Sequence, residues 1–196
     1  TQKIAIVGGG IIGLALAYKL QHKFPAAQVV LFEKESSVGK HQSGRNSGVL
    51  HCGLHYQPGS LKAQLAVNGI RQMIDFCRKE QINHDVCGKI VVASEKNQVK
   101  FLDELAKRGH KNGLKNLQFL SAEALKKREP HVASKKTLLV PEEGIVDYKM
   151  VMERLRNIIE SKGGEIVLST KINTADEVAD KVILKSKDKE LSLIHI

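Results

Sequence analysis

A cluster of glycines set between two short apolar runs constrains this chain more than any other feature. Ile4-Ala5-Ile6-Val7 passes into Gly8-Gly9-Gly10-Ile11-Ile12-Gly13, and a second run, Val29-Val30-Leu31-Phe32, ends in Glu33. Strand, glycine turn, helix, strand and acid, in that order, is the layout of a dinucleotide-binding βαβ unit. Gly8 allows the tight turn off the strand, Gly10 lets backbone approach a pyrophosphate, and Gly13 lets the helix pack close to the sheet. The first helical turn, with Ile12 in it, presents N–H groups and a partial positive charge to the phosphates. Glu33 follows Gly13 at about the 20-residue spacing at which an acid accepts hydrogen bonds from an adenosine ribose, and Lys34 stands beside it. An acid there repels a 2′-phosphate, which disfavours NADP. The motif alone leaves FAD and NAD open.

Between Lys34 and Ser60 hydrophobic periodicity fails, and the chain is rich in Gly, Ser, Asn and His. A structureless stretch of this length inside a compact domain is usually functional or disordered. The interleaved Val49, Leu50 and Leu54 favour a packed, functional loop. Periodicity predicts helices over Ile11–Phe24, Pro58–Glu80, Asn97–Arg108 and Asp147–Lys162, with a short one from Ser121 stopped by Pro130. It predicts strands over Lys89–Ala93, Thr137–Val140, Glu165–Leu168 and from Val182. In the long helix after Pro58, the expected buried side is Leu61, Leu65, Ile70, Met73, Ile74 and Phe76-Cys77. Met150 is expected to face inward on its helix, and Phe101 is among the apolar residues of the helix over Asn97–Arg108. The fold class is therefore α/β: a Rossmann-like dinucleotide domain with a doubly wound parallel sheet, interrupted by part of a second, sheet-containing domain. The expected divisions are residues 1–85, 86–141 and 142–190.

The chain of 196 residues carries a formal net charge of +10, with 31 Lys and Arg against 21 Asp and Glu. The basic residues are scattered and few aromatics lie among them, so a solvated basic surface is expected and no nucleic-acid groove. Three cysteines, without C-x-x-C spacing, are expected to be reduced thiols of a cytoplasmic protein, and no metal-ligand pattern appears. The chain opens almost directly on its first strand, with no visible signal peptide. Its last hexapeptide, residues 191–196, matches the translation of a transposon-end sequencing adapter and is expected to be a non-native tail.

The glycine turn with Glu33 resembles the D-amino-acid-oxidase-like flavoproteins, which include glycine and sarcosine oxidases and glycerol-3-phosphate dehydrogenase. The loop from His41 to Tyr56, followed by Pro58-Gly59-Ser60-Leu61-Lys62-Ala63, is more specific: it closely resembles the L-2-hydroxyglutarate oxidases and dehydrogenases. Glu142-Glu143-Gly144-Ile145-Val146-Asp147 is similar to that family's return from substrate domain to FAD domain. The chain departs from the family at Arg45, where histidine is commoner, and at His55, where a second aromatic is expected. The resemblance implies FAD as cofactor, its pyrophosphate on Gly8, Gly10 and Gly13 and its adenosine ribose on Glu33. It implies that Ser43, Asn46, Ser47 and Gly48 wrap the flavin side and that backbone near Ile172 lies against adenine. It also implies residues 86–141 as part of a substrate domain, whose completing half and a third FAD segment the family carries further on.

The implied reaction oxidises L-2-hydroxyglutarate to 2-oxoglutarate by hydride transfer to flavin N5, with oxygen or a membrane quinone as electron acceptor. A histidine near neutral pKa is the natural base for the hydroxyl proton. His51 is the candidate, with Tyr56 as an orienting group; the bland reading is that His51 only hydrogen-bonds its loop. Cys52 is expected as a buried small residue and not a reactive thiol. Competing functions are a glycine- or sarcosine-oxidase-like or glycerol-3-phosphate-dehydrogenase-like enzyme, an inactive cofactor-binding fragment, and an NAD module. A quinone acceptor and the basic surface would both suit peripheral contact with the inner face of a membrane.

Overall fold

The computed structural model describes residues 2–179, 181–187 and 190–194, the last five as backbone only. It separates into two compact units, residues 1–47 with 148–196 and residues 48–147. The units differ from the expected divisions at 85/86 and 141/142: the helix after Pro58, expected with the first part, lies in the second unit.

In the first unit β1 (Lys3–Val7), β2 (Gln28–Phe32) and β9 (Glu165–Val167) form a parallel sheet in the order β1-β2-β9. After its first residue β2 is buried throughout, so both of its faces are covered, which is why its sequence is a continuous apolar run and not an alternation. Helices α1 (Ile11–Lys23) and α5 (Tyr148–Ser161) belong to this unit, and the buried Gln21 amide donates to the Ile159 carbonyl at 3.1 Å to tie them together. On β2, Val30 and Phe32 point to one face and meet Leu184, with Ala5, Val167, Ile172 and Val182 packed around them. That face is covered by an antiparallel sheet of β10 (Ile172–Val178), β11 (Lys181–Ser186) and β12 (Glu190–Ile194), not by further helices. Residues 190–194, all but the first from the expected non-native tail, thus pair with β11 as a strand; 188–189 and 195–196 lie outside the described residues.

The second unit holds two small sheets. β5 (Lys89–Ala93), β7 (Lys136–Val140) and β6 (Gln118–Leu120) are antiparallel, with β7 central; β3 (Val49–Leu50), β8 (Gly144–Val146) and β4 (His84–Asp85) form the other. Helix α2 (Leu61–Lys79) buries Ala63, Val67, Ile70, Ile74 and Cys77, an alternating four-and-three spacing that makes one continuous stripe. Leu61 and Leu65 were expected in that stripe but are 68% and 62% exposed. Each stands two residues, about 200°, from a stripe position, so apolar character alone misplaced them. On α3 (Gln98–Lys111) Phe101 is exposed and Leu102, Leu105 and Ala106 are buried; the short α4 (Ala122–Arg128) buries Leu125. On α5, Met152 is buried in place of Met150.

Candidate functional site

The glycine turn is built by contacts that only glycine permits. Gly8 has φ +108°, and a Cβ on Gly13 would run into the Gly8 carbonyl oxygen, so the first turn of α1 lies directly on the end of β1. The Gly8 N–H donates to Phe32 O at 2.8 Å, locking the turn to β2. Helix α1 has no acidic residue in its first turn and its N-cap, Gly10, has no side chain to satisfy the free amides. The hydroxyl of Ser43 comes across from the loop, accepting from Ile11 N at 3.0 Å. Ser43 Oγ would also sit 3.1 Å from a Cβ on Gly10, so a larger residue there would press on the cradle. Ile12, next in the turn, is 81% exposed. Free helix-end donors, a hydroxyl and no competing carboxylate are what a pyrophosphate requires. The residues present therefore fit a dinucleotide's phosphates.

Glu33 is buried, and its two oxygens accept from Gly9 N at 2.5 Å and from Glu35 N at 2.9 Å. The carboxylate thus braces the glycine turn itself, a task the sequence reading did not assign, and a carboxylate has further lone pairs for ribose hydroxyls. Lys34 is half exposed, its Nζ 4.0 Å from Glu35. The loop that carries Ser43 is anchored by Gly39 N to Gly9 O at 2.9 Å and by His41 Nε2 to Glu35 at 2.9 Å. That hydrogen bond to His41 holds the Glu35 carboxyl below its usual range. Asn46 donates to Ser43 O at 2.8 Å and so shapes the loop from within, while Ser47 is exposed. Gly48, at φ +73°, opens the second unit, where Val146 N donates to its carbonyl. Ile172 starts β10 and packs against the Val30–Phe32 cluster. An open cavity of about 350 Å³ beside this loop is lined by Lys40, Arg45, Lys149 and Arg156 against Glu153.

The catalytic candidates lie in the second unit, in a constellation that sequence reading missed. The β3–β8 pairing sets Leu50 opposite Gly144, and the β5–β7 pairing sets Lys89 opposite Val140. Two registers therefore bring His51, Cys52 and Lys89 to Glu143, across 91 residues of chain in the Cys52 case. Glu143 is 2% exposed. Its Oε2 lies 2.5 Å from Lys89 Nζ and 3.7 Å from His51 Nδ1; its Oε1 accepts from the Cys52 amide at 3.3 Å and the Cys52 thiol at 3.2 Å. Burial pushes Glu143 up, but the Lys89 hydrogen bond, the Cys52 thiol and the Lys89 charge outweigh it and hold the carboxyl below its usual range. Burial first, then the Glu143 charge, pushes the Cys52 thiol up to about 12. Cys52 is thus a buried, protonated donor. Burial, followed by the Lys89 charge, lowers His55. The His51 side chain is 62% exposed. Tyr56 is engaged elsewhere: Lys62 Nζ stands 4.4 Å over its ring, and Asn112 Nδ2 holds its carbonyl and that of Gly53. The visible signal for Glu143 was the doubled acid in the Pro141–Gly144 turn. Its neighbour Glu142 spends its charge on Arg71, at 3.0 Å.

Among the described residues no helix is long and apolar enough to cross a membrane. The FAD dependent oxidoreductase (DAO) model matches residues 3–191. L-2-hydroxyglutarate dehydrogenase of Indibacter alkaliphilus is 44% identical over 170 residues, 87% of this chain and 43% of that protein. The enzyme of the same name from Escherichia coli K12 is 38% identical over 93% of this chain and 43% of its own length. Among solved structures, FAD-bound L-α-glycerophosphate oxidase of Mycoplasma pneumoniae superposes with a TM-score of 0.85 at 25% identity, over 96% of this chain and 51% of that one. Glycine oxidase of Geobacillus kaustophilus gives 0.85 at 20% identity, over all of this chain and 54% of the other, a likeness of fold. The chain thus spans under half the length of these curated relatives. With its glycine turn, its Ser43 cradle and a family match running over nearly its whole length, it belongs to the DAO family of FAD-dependent oxidoreductases.

Proposed function

We propose that this chain carries the FAD anchor of an L-2-hydroxyglutarate-oxidising enzyme, producing 2-oxoglutarate. The observation that carries the reading is the join of two things: a helix-end phosphate cradle completed by Ser43, and 44% identity over 170 residues to a relative named L-2-hydroxyglutarate dehydrogenase. FAD held there would supply the electron sink for the hydride that leaves the substrate α-carbon. The chain's own residues do the rest. The first turn of α1, Ile12 included, and Ser43 bind phosphate, with Gly8, Gly10 and Gly13 keeping the approach clear. Glu33 braces the turn and meets ribose, with Lys34 beside it. Asn46, Ser47 and Gly48 shape the flavin-side loop, and Ile172 backbone lies at adenine. His51 Nε2 takes the hydroxyl proton as the carbonyl forms.

The purified chain, mixed with FAD and desalted, is expected to retain a yellow, protein-bound flavin spectrum. A colourless chain that instead takes up NAD overturns the cofactor reading. Turnover is expected of a protein extended to its relatives' length: dye reduction with L-2-hydroxyglutarate, and little with glycerol 3-phosphate or glycine. Preference for either of the latter overturns the substrate.

A further inference from the structure

We propose that Glu143 is a positioning residue for His51, holding the imidazole as its Nδ1–H tautomer so that Nε2, on the far edge of the ring, stays bare and able to accept a proton. The catalytic value of this rests on the reading of His51 as base; the tautomer itself does not.

The geometry is asymmetric in a way that suits the task. Glu143 is 2% exposed while the His51 side chain is 62% exposed, so a fixed buried charge faces one edge of an accessible ring. The 3.7 Å from Glu143 Oε2 to His51 Nδ1 is ion-pair distance, somewhat beyond a hydrogen bond, and contacts of this type tighten when the partner carries a proton or ligand. The other groups around the carboxylate keep it ionised: Lys89 Nζ shares Oε2 with the His51 edge, at 2.5 Å, and the Cys52 amide and thiol donate to Oε1. An ion pair that takes a carboxylate out of water gives little net stability over an apolar pair of the same volume, so stability alone is a weak reason for its presence. When Nε2 takes the substrate hydroxyl proton, the O–H bond breaks and an N–H bond forms, leaving an imidazolium beside Glu143. A carboxylate already in place stabilises that charge with no rearrangement. This is the orienting-acid logic of catalytic triads, reached from another fold.

The test reads the tautomer directly. The chain is labelled with ¹⁵N-histidine, His51 is assigned by its loss in His51→Gln, and spectra are taken about two pH units above the ordinary histidine pKa. Wild type is expected to show a protonated-type Nδ1 and a bare-type Nε2. In Lys89→Met/Glu143→Gln, which removes both charges of the pair together, the two signals are expected to trade places. Glu143→Asp, which keeps the charge, is expected to retain the wild-type pattern. A bare Nδ1 in wild type overturns the proposal, whether or not the double variant folds. So does an unchanged pattern in a double variant with native circular dichroism. Flavin uptake by the same sample is scored apart: a colourless chain that takes up NAD, with protonated Nδ1, sinks the cofactor reading and upholds the role of Glu143.

Discussion

The closest packing at the proposed cofactor site is between two backbone segments, so single atoms decide whether it forms. At Gly13 an added Cβ has nowhere to go, because what it meets is the Gly8 carbonyl and not a movable side chain. Gly13→Ala must therefore push α1 off β1, at a cost of about 1–3 kcal/mol by analogy with overpacked cores. It also tilts the helix-end amides and Ser43 out of register with each other. The expected outcome is a folded chain with a lowered melting temperature that keeps no flavin after desalting. Retention of flavin at the wild-type ratio would place the pyrophosphate elsewhere. Glu33 teaches a related lesson, since it supports the turn through Gly9 and Glu35 before any ligand arrives. Substituting it would loosen the turn as well as remove a ribose acceptor, and the two effects would be read together.

At the scale of elements, α2 shows how local chemistry fixes a boundary. Ser60 Oγ accepts from Ala63 N at 3.2 Å and donates to Gln57 O at 2.6 Å, so one hydroxyl both caps the helix and closes the preceding turn. Ser60→Ala is expected to cost about 1 kcal/mol, read as a lower urea midpoint with unchanged slope. A loss below a few tenths would mean that the helix start is held by other contacts. Helices such as α2 and strands such as β1, β2 and β7 were legible because their period is written in consecutive residues. β4, β6 and β8 were not, having two or three residues each, too few to show alternation. β10 was missed because Ile172–Val178 is mostly exposed and polar, paired by backbone and not by an apolar stripe. The same distinction divides the site. The glycine turn could be read along the chain, whereas Ser43 was expected on the flavin side through the family resemblance and its bond to Ile11 N was not foreseen. The Glu143–Lys89–His51 group exists only through the registers of two antiparallel pairs, and no spacing in the sequence encodes those.

For the molecule as a whole, the acid limit of stability follows from which carboxylates are held down. Glu142 and Glu143 are both below their usual range: burial opposes this in each, and is outweighed by Arg71 and the Lys115 amide for one and by Lys89 and Cys52 for the other. A folded-state pKa below the unfolded value means the unfolded chain binds protons first as pH falls. The stability these groups contribute is therefore complete above the ordinary carboxylate value of 4.5 and is lost as pH drops through their folded values. The net charge of +10 at neutrality works in the same direction, because each protonated acid adds to the repulsion among 31 basic residues. The two contributions separate in Lys89→Met/Glu143→Gln, which leaves the net charge unchanged and deletes one titrating site. Opening of the β5–β7 pairing, followed by hydrogen exchange between pH 6 and 3, is expected to steepen below about 4.5 in wild type. In the double variant the acid-side slope should shrink by up to one proton's worth, about 1.4 kcal/mol per pH unit. Equal slopes in the two proteins would mean that repulsion across the whole basic surface, and not the Glu143–Lys89 pair, sets the acid limit.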